Sequence, residues 1–328
     1  MNSKDSNTSA STKSLDSIRF KTLIFERMRS WLPIVGLIAI AFLFNILTQG
    51  RLLSPSNVEL LLSQVYMLMI ATTGVFFIIT IGGLDFSQGS ILGMASIAIC
   101  VVSRFSIPLS LVAGMLTGAA MGAVNGFFHV GRKIRSFFVT ICTMFLFRGV
   151  IAYLTSDSPI VATATMINYD TTLVKLSITL VVLAVAIFVY NFTKIGVQTK
   201  AIGSGEKAAR FAGIKTDKMK FLIYVMAGAI TGLAAFVNVV KVGSVTSSSG
   251  NQLETQILIA LVLGGTPISG GAKSRISSVV IGSLLYIVLS SGLIMLGLTT
   301  EQQQLIQGIV FLTFVAIFAD RSSLEVIK

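Results

Sequence analysis

Few residues in this chain have the type and spacing to do chemistry. The acidic candidate is Asp85, inside the run Gly82, Gly83, Leu84, Asp85, Phe86, Ser87, Gln88, Gly89, Ser90. A carboxylate among glycines can cap the next helix by accepting free backbone N–H groups, or it can touch a solute or partner, and both readings stay open. The basic candidate is Lys273, near the end of Gly264, Gly265, Thr266, Pro267, Ile268, Ser269, Gly270, Gly271, Ala272, Lys273, Ser274. The likeness to a phosphate-binding loop is superficial, because such a loop needs glycine directly before the lysine and a strand before the glycines. Here Ala272 precedes Lys273 and an apolar segment leads in, so a glycine-rich turn between two packed elements fits better. A third run, 193–220, carries an amphipathic helix candidate at Glu206–Phe211, bounded by Gly203, Gly205 and Gly213. Its Ala208, Ala209 and Phe211 can bury against a neighbour while Glu206, Lys207 and Arg210 stay polar. A helix framed in this way offers a compact surface to a cytoplasmic partner, the alternative being a plain solvated loop.

The rest of the inventory argues against catalysis. His129 is the only histidine, so the chain has neither a pair of histidine zinc ligands nor a Ser-His-Asp triad without it, and the G-x-S-x-G elbow is missing. Cys100 and Cys142 both lie in apolar stretches and read as small packing side chains rather than a disulfide. The expectation is a chain with no metal, no cofactor of its own and no enzymatic activity.

These runs must be positioned by membrane helices. The 328 residues are 54% hydrophobic and 12% charged, with a mean hydropathy of +0.87. A membrane span needs about 20 mostly apolar residues. The apolar stretches place spans at 31–48, 65–82, 88–104, 107–130, 137–154, 173–192, 219–240, 255–266, 276–298 and 303–319. The 255–266 segment is short and ends in glycines, as a broken or re-entrant element does. The fold class is thus an all-α polytopic bundle of about ten transmembrane helices. Within the fourth span Gly114, Gly118, Gly122 and Gly126 recur at helix-packing spacing. Close packing between helices explains them better than a permeation lining.

The net charge of +12 is spread between apolar runs, which disfavours nucleic-acid binding. With the N-terminus inside, 20 of the 25 lysines and arginines fall on cytoplasmic segments. The expected organisation is a cytoplasmic tail over 1–30, a permease domain over 31–320 with its largest cytoplasmic segment at 193–220, and a cytoplasmic tail over 321–328. No cleaved signal peptide is expected, because the run after Trp31 is too long and no small-residue cleavage site follows it.

Four motifs in one order resemble the permease subunits of bacterial ATP-binding-cassette importers for ribose and related simple sugars. Members carry G-G-[IL]-D-[LF]-S-x-G-S, matched at 82–90, and a T-x-x-T-M-x-x-x-R-G-like stretch, similar to 140–149 and ending in Arg148 and Gly149. An A-I-G-x-x-x-x-A-A-x-x-x-G-I pattern is matched at 201–214, with Y-x-x-x-G following at Tyr224 and Gly228, and V-L-G-G-T-x-x-x-G-G is matched at 262–271. The resemblance implies a dimeric pore in the bacterial cell membrane, built with a second permease copy, identical or different. It also implies a cytoplasmic ATPase subunit that binds ATP and magnesium, and an extracytoplasmic solute-binding protein that delivers a ribose-type monosaccharide. On the same basis Gly203, Glu206, Ala208, Ala209, Arg210 and Gly213 would form the element that seats in the ATPase. Gly82, Gly83, Asp85, Ser87, Gly89, Arg148, Gly149, Gly264, Gly265, Gly270 and Gly271 are the other motif residues.

Three positions depart from the pattern. Ser136 replaces a frequent proline, G-G-N reads Gly203-Ser204-Gly205, and the E-L-x-A-I-A-A stretch reads Glu254-Thr255-Gln256-Ile257-Leu258-Ile259-Ala260, with small residues lost. These departures leave the solute open, with a nucleoside or autoinducer as alternatives to a sugar. An ion-coupled secondary transporter is the competing class. It usually needs intramembrane ionisable groups, and within the spans only Arg148 and the edge residue Asp85 come near that description.

Overall fold

The computed structural model describes residues 31–318; the two expected cytoplasmic tails lie outside the described residues. The helices in chain order are α1 (Trp31–Leu47), α2 (Pro55–Thr80), α3 (Gln88–Ser103), α4 (Ile107–Gly126), α5 (Ser136–Leu154) and α6 (Thr172–Phe192). There follow α7 (Lys194–Ser204), α8 (Glu206–Phe211), α9 (Thr216–Val242), α10 (Leu253–Leu263), α11 (Ser277–Met295) and α12 (Thr300–Phe318). A π turn, Phe127–Gly131, extends α4. One antiparallel pair of two-residue strands, β1 (Ile160–Val161) and β2 (Ser244–Val245), sets Ile160 opposite Val245.

The bundle is all-α, as composition requires, but ten full crossings are not confirmed. Six helices are long and apolar enough to span a membrane, namely α2, α4 with its π turn, α5, α6, α9 and α11. α10 has 11 residues, about 16 Å of helix, roughly half of a hydrocarbon core. α12 has 19 residues, but Glu301, Gln302, Gln303, Gln304 and Gln307 make its first half polar. The second helix begins ten residues before the expected span, at Pro55, whose fixed φ suits a first helical position. Its opening turns carry Asn57, Glu59, Ser63 and Gln64, so hydropathy does not mark them although the backbone is helical.

Two long helices organise the interior. α2 is buried almost continuously from Val65 to Thr80, and it packs against α9. Each ends on a glycine in the left-handed region, Gly82 (φ +80°) and Gly243 (φ +74°). An irregular stretch follows each, then a shorter apolar helix, α3 or α10. On the outside, α4, α5 and α6 expose Leu116, Leu146, Val181 and Phe188. In lipid such a surface carries no penalty, so apolar burial cannot by itself drive these helices together.

Close backbone approach takes that role. α4 crosses α9 along the glycine stripe: a β-carbon on Gly118 would run into the Gly228 carbonyl, and one on Gly122 into the Tyr224 carbonyl. Gly232 on α9 presses in the same way on Gly114, and a β-carbon on Gly126 would lie 2.9 Å from the Phe221 ring. Packing, rather than a pathway, accounts for the stripe. Gly118→Ala should therefore destabilise the bundle by about 1–3 kcal/mol, seen as early aggregation in heated detergent extracts. Gly149→Ala is the internal comparison, because nothing lies within 4 Å of its position, and it should match the parent chain.

Candidate functional site

The three glycine-bearing segments meet at the C-terminal end of α2. The helix stops in a Schellman arrangement, with Gly82 in the left-handed region donating its N–H to Ile79 O at 2.8 Å and Gly83 donating to Ile78 O at 2.9 Å. Thr80 then offers its carbonyl to the Gly271 N–H at 2.9 Å. Gly203, near the end of α7, sits so close that any side chain would strike Thr80 O, and its β-position lies 2.7 Å from Gly271 N. Ser204 Oγ accepts the Ala272 N–H at 3.0 Å. Gly270 (φ +71°) lies against the carbonyls of Ile79 and Thr80. Gly264 packs at the other end of the same turn, with Ser278 O where its β-carbon would be, while Gly265 (φ +90°) makes the turn itself. A contact made backbone to backbone tolerates no side chain and leaves no slack.

Above this junction Asp85 is 1% exposed and fully bonded. Oδ1 accepts from Ser87 N at 2.8 Å and Ser87 Oγ at 2.6 Å, and Oδ2 accepts from Gln88 Nε2 at 2.7 Å. The expected cap is only partly realised: the carboxylate takes the N–H of Ser87, the residue before α3, and spends its other contacts on side chains. From Ser87 the chain of bonds continues, since Asn125 Nδ2 donates to Ser87 Oγ at 2.7 Å and Thr143 Oγ1 donates to Asn125 Oδ1 at 2.7 Å. Gln88 Oε1 accepts from Thr231 Oγ1. One buried carboxylate thereby ties α3, α4, α5 and α9. Ser136, one of the departures from the family pattern, accepts the Leu84 N–H at 3.2 Å and so holds the same loop. Thr143 and Thr231 were not singled out by the sequence. Their only signal there is an uncharged polar side chain in an apolar segment, which also describes many residues without such a role.

Arg148 is separate from this junction. Its Nη2 meets Glu254 Oε1 at 2.8 Å and its Nη1 donates to Asn251 Oδ1, joining α5 to the start of α10. Gly89, in the first turn of α3, lies against the Gly250 carbonyl and Glu254 Oε2, so only a glycine fits between them. Gly149, its motif neighbour, is exposed and touches nothing else, so the structure gives it no part in either cluster.

The short helix falls at Glu206–Phe211 as the sequence predicts, but its faces are partly exchanged. Ala209 is buried as expected, whereas Ala208 is exposed and Phe211 is 92% exposed. Glu206 and Arg210 turn back onto α9: Glu206 Oε2 meets Lys220 Nζ at 2.5 Å and Arg210 Nη2 meets Asp217 Oδ1 at 2.9 Å. Opposite charges at the start of α9 attract the polar side chains and leave the ring outside. Gly213 (φ +84°) makes the reversal into α9, and Gly205 has an extended φ of 170°. The stretch before α8, read from sequence as loop, is the helix α7. Both cysteines are free, with Cys100 buried and Cys142 on an exposed face of α5. Among the described residues, no group of three or more His, Cys, Asp or Glu could hold a metal ion.

Comparison with known proteins places this architecture. The chain is 34% identical over 299 residues to a ribose import permease protein of Bacillus subtilis, covering 88% of this chain and 92% of the relative. It is 30% identical to the ribose import permease protein of Escherichia coli K12, covering 86% and 92%, and 26% identical to the D-allose transport system permease protein of the same organism, covering 85% and 88%. No solved structure matches. Residues 57–315 match the model of a permease family, and the chain belongs to that family, described as the branched-chain amino acid transport system / permease component.

Proposed function

We propose that this chain is the membrane-spanning permease subunit of an ATP-driven importer for a simple sugar, carrying no catalytic activity of its own. The relatives named as ribose and D-allose permeases support the sugar, and the family supports the permease role. The engine is a separate cytoplasmic ATPase that binds ATP and magnesium, and an extracytoplasmic binding protein delivers the solute. A second permease copy completes the pore in the cytoplasmic membrane, with both termini on the ATPase side.

One observation carries the coupling role. α7 and α8 are held firmly to the bundle on one side and present an unpartnered apolar ring on the other. Phe211 has no reason to stand in water, since an exposed phenyl gains about 1.5–3 kcal/mol on burial. The ion pairs on α8 are half-exposed and position the helix more than they stabilise it. A push on α8 reaches α9 through Asp217 and Lys220. Through α7 it reaches Thr80, at the end of α2, and the turn at 264–274. Helix pairs joined in this way shift as rigid bodies when an ATPase dimer closes.

Phe211→Asp should abolish co-purification with the ATPase and ATP-dependent sugar uptake while leaving the thermal stability of the permease unchanged. Uptake at parental rates with this variant would refute the docking role. Gly203→Ala should behave differently, because its methyl group displaces backbone at Thr80. Melting temperature and uptake should both fall while the ATPase still binds, and pull-down beside a thermal-shift assay separates the two classes.

A further inference from the structure

A cavity of about 480 Å³ lies between α10, α11, α12 and the loop after α2. We infer that this cavity is the solute-contacting wall of the pathway, and that the carboxamides of Gln252, Gln256, Gln304 and Gln307 receive the hydroxyls of a neutral polyhydroxylated solute. The inference rests on the permease reading above and adds to it a site and the chemistry of its ligand.

The four glutamines are placed by helix geometry. Gln256 stands in the first turn of α10 with Gln252 just ahead of that helix, and Gln304 and Gln307 stand three apart in α12 and share one helix face. All four line the cavity. Uncharged amides facing lipid would lose their hydrogen bonds to water without replacement, so their grouping around one hollow marks a wet surface. Each carboxamide supplies two donors and an acceptor with two lone pairs, the complement of a sugar hydroxyl that both gives and takes. The rings of Phe86 and Phe311 also line the hollow and offer flat apolar faces to the C–H side of a pyranose or furanose. The volume lies within the roughly 300–1,000 Å³ of small-molecule sites.

Charge then selects among solutes. Among the described residues, no Asp, Glu, Lys, Arg or His lines the cavity. A zwitterionic amino acid would have to bring both its charges out of water with no opposite charge to meet them, whereas a neutral polyol leaves only hydroxyls to be matched. This bears directly on a family described by amino acid transport whose relatives here are named for sugars. Three of the four residues that depart from the family pattern in α10, Thr255, Leu258 and Ile259, line this wall. The cavity also shares Leu84 and Ile268 with the glycine-rich runs that hold α7, so movement at the coupling junction changes its shape.

The test uses the assembled importer in proteoliposomes, with its binding protein and ATPase, and D-ribose, D-xylose and L-leucine as probes. Gln256→Leu combined with Gln304→Leu should lower sugar uptake about tenfold or more, the usual effect of leaving hydroxyls unmatched, with the complex still eluting as one species. Leu305→Ala, on an exposed face of α12 outside the cavity, should transport as the parent does. In a Cys142→Ser background, Thr255→Cys should react with a charged, water-soluble thiosulfonate, and that modification should block uptake. Sugar uptake unchanged by the double variant, an unreactive Cys at 255, or preferred uptake of L-leucine would each overturn the inference while leaving the permease reading standing. A parent complex that moves none of the probes under ATP would instead bring down the permease reading, and this inference with it.

Discussion

The carbonyl oxygen of Thr80 is where the working parts of this permease are tied together. It accepts the Gly271 N–H and lies against Gly203, so the end of α2, the end of α7 and the turn between α10 and α11 share one contact. Inside a membrane protein a helix-terminal carbonyl without a partner costs several kcal/mol, and here the partner is backbone from a distant segment. Glycine is required because the approach is closer than a β-carbon allows. The same requirement explains why the glycine-rich runs sit at helix ends rather than in helix interiors. They close a joint between elements far apart in sequence.

The remainder of the bundle follows the same physics. Without water, apolar burial gives helices no preference for one another over lipid, and packing must come from close approach and hydrogen bonds. The α4–α9 crossing uses four glycines of α4 for the first. The chain of bonds from Asp85 through Ser87 and Asn125 to Thr143, with its branch through Gln88 to Thr231, supplies the second. A buried carboxylate is tolerable there because each oxygen is matched. Arg148 and Glu254 form a smaller version of the same solution, linking α5 to the start of α10.

These interactions divide the permease by task. In the reading proposed above, the junction at Thr80 and the short helix α8 serve the ATPase, while the amides of α10 and α12 serve the solute. The loop carrying Asp85 lies between them, with Leu84 and Phe86 on the cavity and Gly82 beside the turn at 264–274. A displacement entering at Phe211 therefore has a short path of rigid contacts to the cavity wall.

Much of this was legible in the sequence. Uninterrupted apolar runs of about 20 residues demanded an all-α membrane bundle, because in lipid a span of that length satisfies its own backbone as a helix, whereas barrel strands are shorter and alternate. The spacing of Gly114, Gly118, Gly122 and Gly126 foretold close packing, and glycines on either side bounded the helix at Glu206–Phe211, since both signals are local. Three features were decided only by the tertiary structure. Charges at the start of α9 drew Glu206 and Arg210 into half-exposed ion pairs and left Phe211 outside. Arg148 found its partners more than a hundred residues away, at Asn251 and Glu254. Gln252 and Gln256 came to line one hollow with Gln304 and Gln307. Spacing along the chain determines which residues share a helix face, but which face meets which is settled by the packing of whole helices, because that packing joins segments far apart in sequence.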